Sequence, residues 1–431
     1  MLQSNPMQFP RVEVHRALAN AYTAKFYALR QHLRQLSVEC YEDFRAIPFT
    51  HPTDLLAHGE EFVPSGMSVT RVFLSGGTQT SYKRIYYTNE DWNIALQTNA
   101  ELFRMCSIGP GDKVAILQPF APWSIGPVYQ ESTAQIGALA IPLGIHFHQD
   151  TIANLLQVHQ PTVILAPPSF LARLTQHLRE TGALSRAALT VRLLVLAGEP
   201  LSRGQRAFLS AAWQAIALSL YGSAETDSLA VQVEPGGPFH FLTQTIFPEV
   251  DLREGRTTMF NKGALGNLLI TTLARRSTPL IRYELGDKIE VEGPCSLHER
   301  CYLIRILGRG SQSIILSDGT CIESYQVLSI VDEVIPEFVA CRVRVSTGED
   351  GSDVLEVTLY SNDDVPDNEL TKLAKCLGRL SVDVEDALAA GTLSSIHVFH
   401  ERADNMPVTQ RGKLVSFEDD RIDRPESRVP R

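Results

Sequence analysis

The chain has 431 residues, of which 44% are hydrophobic and 20% charged, and a net charge of −10 carried by interspersed acidic and basic residues. This excludes a disordered chain, which could not bury enough apolar surface, and argues against a nucleic-acid or membrane-surface protein. The length predicts more than one domain, no apolar run reaches the ~20 residues of a membrane span, and seven scattered cysteines form no disulfide pattern, so the expected setting is a reducing cytoplasm.

In chain order, apolar residues at helical spacing (Leu18, Tyr22, Phe26, Leu29, Leu33, Leu36) predict helix over residues 12–45. A polar stretch follows, Ser75-Gly76-Gly77-Thr78-Gln79-Thr80-Ser81-Tyr82-Lys83. Residues 89–106 are predicted helical, with Glu90 and Asp91 in the first turn, where they complement the helix dipole. Short apolar runs at 113–117, 137–143, 162–166 and 192–197 are of the buried-strand type, with helical patterns at 149–158 and 169–181. Such alternation implies a mostly parallel sheet covered on both faces, with ligands beyond the carboxyl ends of its strands. Gly198-Glu199-Pro200 and Tyr221-Gly222-Ser223-Ala224-Glu225 follow strand-like runs and are candidates for that crevice. From about Gly310 the texture changes. Residues 343–346 and 354–360 flank Gly348-Glu349-Asp350-Gly351-Ser352 as a predicted hairpin, with a short helix at 368–377 and a strand at 395–399. The expected division is a large domain over 1–310 and a small α+β domain over 311–431.

The loop at 75–83 can wrap backbone N–H groups and hydroxyls around a phosphate, because its glycines permit close approach. It is not a Walker loop, since no Gly-Lys-Ser/Thr occurs at the required spacing, and alone it reads equally as a turn. Four further segments accompany it: Tyr221–Glu225; Pro279-Leu280-Ile281-Arg282-Tyr283-Glu284-Leu285-Gly286-Asp287; Gly308-Arg309-Gly310-Ser311-Gln312; and Pro407-Val408-Thr409-Gln410-Arg411-Gly412-Lys413. In this order they resemble the adenylate-forming superfamily of acyl-CoA synthetases, adenylation domains and luciferases, and more narrowly its phenylacetate–CoA ligase branch. That branch typically carries Ser-Ser-Gly-Thr-Thr-Gly-x-Pro-Lys, Tyr-Gly-x-Thr-Glu, Pro-Leu-Ile-Arg-Tyr-Arg-x-x-Asp, Gly-Arg-x-Asp-Asp and Pro-x-Thr-x-x-Gly-Lys.

The resemblance implies an α/β fold with a large N-terminal domain of layered sheets and helices and a small α+β C-terminal lid. It also implies a reaction: ATP and a carboxylic acid give an acyl-adenylate and pyrophosphate, and CoA or a carrier-protein phosphopantetheine takes the acyl group. By the same resemblance Ser75, Gly76, Gly77, Thr78 and Lys83 cradle phosphates, and Glu225 holds Mg²⁺. Gly198, Glu199, Pro200 and Tyr221 bracket adenine, with Gly222, Ser223 and Ala224 beside it. Asp287 accepts the ribose hydroxyls with help from Arg309, and Lys413 neutralises the carboxylate and α-phosphate. Each residue has an ordinary alternative: a turn for Tyr221-Gly222, a turn cap for Asp287, a solvated lysine for Lys413.

The chain departs from the branch at Gly76, Gln79, Thr80, Tyr82, Ala224, Glu284, Ser311 and Gln312. Two other readings therefore stay open: nucleotidyl transfer without a thioester, as in deazaflavin-coenzyme adenylylating synthetases, and a degenerate nucleotide-binding homologue. Phe120, Trp123 and Gly126, with His146 nearby, suit a pocket for a flat aryl or short apolar acid, or else are plain core. Cys295, His298 and Cys301 offer zinc three ligands, with His240 a candidate fourth, though the spacing is not that of a standard closed site. A homodimer is left open.

Overall fold

A computed structural model describes residues 7–29, 37–75, 82–253, 255–309, 313–335, 338–348, 350–361, 363–406 and 417–421. The chain divides into two compact units. One comprises Met1–Ala166, Ala187–Gly198 and Ile216–Leu307; the other comprises Pro167–Arg186, Glu199–Ala215 and Gly308–Arg431.

The first unit is organised by a twelve-stranded sheet. Its parallel part is β3 (Lys113–Ile116), β4 (Leu139–Pro142), β5 (Val163–Ala166), β6 (Leu193–Ala197) and β7 (Ile216–Ser223), in the order β4-β3-β5-β6-β7. All of β5 and β6 is buried, which is why both read as unbroken apolar runs. Beyond β7 the sheet continues with β8 (Asp227–Gln232), β9 (Phe239–Leu242), β14 (Cys301–Arg309), β13 (Tyr283–Pro294), β12 (Leu265–Thr272), β10 (Ile246–Arg253) and β11 (Arg256–Met259). Antiparallel pairs run through this part. Along β13 buried and half-exposed residues alternate, the mark of a sheet with one covered face. A mostly parallel sheet was expected; the parallel strands are one arm of a mixed sheet, and β7 is where the two arms meet.

That junction depends on a glycine. A Cβ at Gly222 would lie 2.2 Å from the Asp227 carbonyl oxygen and 2.6 Å from the Ser228 Cα, so only glycine lets β7 and β8 close. A small two-stranded sheet, β1 (Arg71–Leu74) and β2 (Arg84–Tyr87), is separate from the large one and is flanked by Ser75 and Lys83.

The helices of this unit are α1 (Arg11–Ala21), α2 (Lys25–Ala28), α3 (Tyr41–Phe44), α4 (Pro52–His58), α5 (Asn89–Met105), α6 (Ile125–Gln135) and α7 (Gln149–His159). Thr88 and Asp91 form a capping box at the start of α5, and Trp92, Leu96 and Phe103 enter the core. The continuous helix predicted over 12–45 is broken. Ala24 is extended and bridges Pro64, which ends α1 and restarts the chain as α2; Leu33 and Leu36 lie outside the described residues.

The second unit contains α8 (Pro168–Glu180), α9 (Leu184–Ala187, whose last residue falls in the first unit) and α10 (Arg203–Trp213). Trp213 Nε1 donates to Thr175 Oγ1 at 2.7 Å, joining α8 to α10. Its C-terminal part holds the two-stranded β15 (Ser313–Ile315) and β16 (Cys321–Glu323). It also holds β17 (Ala340–Thr347), β18 (Asp353–Ser361), β19 (Leu393–Arg402) and β20 (Phe417–Asp419), in the order β19-β18-β17-β20. Helices α11 (Ser324–Val334), α12 (Asp367–Leu377) and α13 (Val382–Ala390) pack a core of Val331, Val343, Val357, Leu373 and Leu393. The predicted hairpin is β17–β18. Asp332 of α11 accepts the backbone N–H groups of Arg203 at 3.1 Å and Gly204 at 3.2 Å, a carboxylate against the N-terminus of α10.

Candidate active site

Where β7 turns into β8, residues distant in sequence meet. The β1–β2 hairpin is closed by Ser75 N donating to Lys83 O at 2.9 Å, so Ser75 and Lys83 leave its tip side by side. Gly76, Gly77 and Thr78, with Gln79, Thr80 and Ser81, lie outside the described residues. Ser75 Oγ donates to Glu225 Oε1 at 3.1 Å, Lys83 Nζ forms an ion pair with the same oxygen, and Tyr283 OH donates to it at 3.4 Å. Lys83 Nζ also reaches Tyr283 OH at 3.4 Å.

Glu225 is 5% exposed. Burial pushes its carboxyl pKa up, but the adjacent Lys83 charge and the hydrogen bonds outweigh burial and hold it below the usual carboxylate range. A buried carboxylate beside a hydroxyl is an oxygen-rich surrounding of the kind Mg²⁺ takes, so the residues present fit that ion.

Near this cluster, Tyr221 OH donates to Asp287 Oδ2 at 2.6 Å, and Asp287 is 4% exposed. Gly286, at φ +82° inside β13, falls where the register with β12 shifts, just before Asp287. The remaining polar residues of this segment tie it down. Arg282, at φ +48° and 1% exposed, donates bidentately to Glu249 at 3.0 Å for each bond, and to the Ile47 carbonyl at 2.6 Å. Glu284, where the branch has arginine, pairs with His51 Nδ1 at 2.6 Å.

The aromatic stretch adjoins the end of β1, because Leu74 N donates to the Pro122 carbonyl at 3.0 Å. Phe120 packs on the core, and a Cβ at Gly126 would lie 2.8 Å from the Phe120 ring, so the glycine makes room for that ring. Trp123 is half-buried. Gln118, 1% exposed, has an Nε2 donor with no acceptor, a cost of about 1–3 kcal/mol until something supplies one. His146 and His148 are both exposed, and His148 caps α7, so neither adds to this buried group.

Gly198, at φ +92°, ends the Ala187–Gly198 segment of the first unit. In the second unit Glu199 accepts from Ser169 N at 3.0 Å and from Ser169 Oγ at 2.9 Å, capping α8, and Pro200 is exposed. Ser223 Oγ lies 3.1 Å from Thr226 Oγ1, and Ala224 is half-buried in the turn. Arg309 ends β14 with its side chain outside the described residues, and Lys413 lies outside them altogether.

The metal candidates need correction. Among the described residues, His240, Cys295 and Cys301 gather their donor atoms within 4.8 Å of one another, and His240 Nδ1 is 3.1 Å from Cys295 Sγ. His298 is not in this set. The turn from Cys295 to Cys301 directs it to Glu101, with which it forms an ion pair, and to Gln244 at 3.4 Å. Two thiols and an imidazole gathered in this way are donors of the kind zinc takes.

The sequence reading missed Arg275, Asp227 and Tyr87. Arg275 is 8% exposed; it donates to the Glu225 carbonyl, pairs with Asp227 and reaches Tyr87 OH at 3.1 Å. No motif marks these residues. The only signal was a pair of arginines, Arg275-Arg276, just ahead of the Pro279–Asp287 segment.

No protein-family model matches the chain. Among solved structures, 2-hydroxyisobutyryl-CoA ligase in its postadenylation state with 2-HIB-AMP superposes with TM-score 0.75 at 19% identity, covering 95% of this chain and 88% of that one. ATP-bound MatB from Rhodopseudomonas palustris gives TM-score 0.56 at 19% identity, covering 80% of this chain and 66% of that one. The fold is that of the adenylate-forming CoA ligases. In sequence the chain resembles the phenylacetate–CoA ligase branch, as its five motifs suggest. It is 26% identical to the phenylacetate-coenzyme A ligase of Pseudomonas putida over 277 residues, 62% of this chain and 61% of that ligase. It is 26% identical to that of Escherichia coli K12 over 308 residues, 68% of each. The chain thus spans less than two thirds of the Pseudomonas ligase. Among the described residues no helix is long and apolar enough to cross a membrane.

Proposed function

We propose that the protein is an AMP-forming acid–thiol ligase that activates a small carboxylic acid with ATP and transfers the acyl group to CoA. One observation carries this reading: Ser75, Lys83 and Glu225 meet in one hydrogen-bonded group beside the Tyr221–Asp287 pair, although Lys83 and Glu225 are 142 residues apart. In the first half-reaction a carboxylate oxygen attacks the α-phosphorus, and the bond to the pyrophosphate bridging oxygen breaks with its electron pair leaving on pyrophosphate. Two anions must approach, so positioning and positive charge lower the barrier. Lys83 and the 75–83 loop hold the β- and γ-phosphates, and Glu225, now paired with Lys83, is the residue that would hold Mg²⁺. When bound, that ion would supply positive charge to the phosphates. Asp287 orients the ribose through its hydroxyls, and Tyr221 and Gly198 frame the adenine. By its motif, Lys413 is assigned the charge on the α-phosphate. In the second half-reaction the thiolate sulfur attacks the acyl carbon and AMP departs.

Phe120, Trp123 and Gly126 line the acyl end, and Gln118 favours an acid bearing a hydrogen-bond acceptor. His240, Cys295 and Cys301 serve as a structural zinc site away from the chemistry. Acid-dependent ATP–pyrophosphate exchange across aryl, amino-aryl, hydroxy- and short aliphatic acids, followed by mass detection of the CoA thioester, tests the reading. Exchange with AMP retained in the product would mean nucleotidyl transfer instead. A carrier protein accepting the acyl group where CoA does not would replace the acceptor. ATP binding without exchange across the whole panel would mark a non-catalytic homologue.

A further inference from the structure

We infer that Arg275 is a positioning residue that holds the backbone of Glu225, and the strand carrying Lys83, in one fixed relation, so that the carboxylate meets Mg²⁺–ATP in the right place. This rests on the reading of Glu225 as the magnesium ligand.

The guanidinium spans two pieces of the site. On one side it grips the β7–β8 turn: it donates to the Glu225 carbonyl and forms an ion pair with Asp227, on either side of Thr226. On the other it grips β2, the strand that leads away from Lys83, through Tyr87 OH at 3.1 Å, and it stacks 4.6 Å from the centre of the Tyr87 ring. Tyr87 OH in turn donates to Asp227 Oδ1 at 2.8 Å, which closes a ring of three side chains. Phosphate-loop hairpin and metal-ligand turn are therefore fastened through one planar fork. A lysine, with a single point of charge, could not occupy all these acceptors at once.

The fork is itself held from behind. The next two backbone N–H groups, of Arg276 and Ser277, donate to Asp91 at 2.7 and 3.0 Å, and Asp91 also caps α5. Ser277 Oγ donates to the Tyr86 carbonyl, while Tyr86 N donates to Thr278 Oγ1 at 3.0 Å, so residues 277–278 are stitched to β2. Asp227 sits at φ +60°, a conformation that non-glycine residues seldom adopt, and the ion pair with Arg275 is what the turn gains by it. Arg275 acts on the chemistry through the Glu225 backbone and the Tyr87 end of β2. Residues that fix a metal ligand from behind in this way typically alter metal affinity or activity by about 10–100-fold when removed.

The test measures Mg²⁺-dependent ATP binding by calorimetry and Mg²⁺ dependence of ATP–pyrophosphate exchange in wild type, Arg275→Lys, Arg275→Met and the double variant Arg275→Met/Asp227→Asn. The double variant removes both buried charges, and so guards against a single variant that merely fails to fold. The expected result is a rise in the Mg²⁺ concentration for half-saturation of about 10–100-fold in Arg275→Met and the double variant, and a smaller rise in Arg275→Lys, among molecules that remain folded by circular dichroism. Unchanged half-saturation in the folded double variant, with only the yield of folded protein altered, would overturn the inference and leave the proposed reaction standing. Wild type that binds Mg²⁺–ATP but performs no exchange with any acid would sink the proposed reaction, and the binding shifts would still decide the role of Arg275. Wild type whose ATP binding ignores Mg²⁺ would overturn both.

Discussion

Glu225 and Asp227 flank Thr226 in one turn, and each is buried against a cation, yet the two pairs are built for different ends. Glu225 faces Lys83, a compact ammonium on a flexible stem whose side chain keeps 16% exposure and which leaves the tip of the phosphate-loop hairpin. Asp227 faces Arg275, a rigid fork with both side chains 7% exposed and further bonds to Tyr87 and the Glu225 carbonyl. A point charge can be handed from one anion to another at small geometric cost, whereas a fork engaged on several acceptors cannot. The difference separates an exchangeable contact, which ATP and magnesium would replace, from a fixed one that keeps the exchange in place.

The largest expected effect comes from breaking the exchangeable pair. Glu225→Gln should lower acid-dependent exchange by about 10²-fold at ordinary magnesium and raise the magnesium requirement, checked by a magnesium titration of initial rates. Lys413→Ala should cost nearly as much in pyrophosphate release, and near-normal release would remove that lysine from the reaction. Breaking the fixed pair should show first in stability. Arg275→Met leaves Asp227 buried without its cation and should destabilise by about 3–5 kcal/mol in denaturant unfolding, and Arg275→Met/Asp227→Asn by less. A smaller effect is expected where Tyr221→Phe removes the bond to Asp287: about 1 kcal/mol, read as a several-fold rise in KM for ATP with kcat nearly kept.

The pH dependence distinguishes the pairs again. Glu225 has its folded pKa held below the ordinary 4.5, so its contribution to stability is present above about that pH and is lost as pH falls through the lower folded value. The stability gap between wild type and Glu225→Gln should therefore close on acidification below pH 4.5 and stay constant above it, as unfolding at a series of pH values would show. The smallest effect on catalysis is expected at the metal candidates. His240→Ala should release bound zinc measured by plasma mass spectrometry, whereas His298→Ala, whose ring faces Glu101, should retain it.

The two arms of the large sheet differ in how plainly they show in sequence. The parallel strands, such as 163–166 and 193–197, are wholly buried and stand out as apolar runs between helical patterns. In the antiparallel arm β13 alternates buried with half-exposed positions and carries charged residues such as Lys288 and Glu290, so it was not legible as sheet. Helix 89–105 was legible because Thr88 and Asp91 form its cap from local residues, while the break at Ala24 was not, because a partner forty positions away, Pro64, imposes it. In the candidate site the motif residues Ser75, Lys83, Tyr221, Glu225 and Asp287 could be named in advance. Arg275 could not, since a buried arginine is indistinguishable in sequence from a solvated one until its partners, Asp227 and Tyr87, are brought beside it.

The most direct test of the whole account is acid-dependent ATP–pyrophosphate exchange by the wild-type protein and by Glu225→Gln, measured side by side across the acid panel with magnesium titrated. The account predicts exchange with at least one acid in the wild type, and a strongly raised magnesium requirement in Glu225→Gln. Exchange that is equal in the two proteins at every magnesium concentration would contradict it.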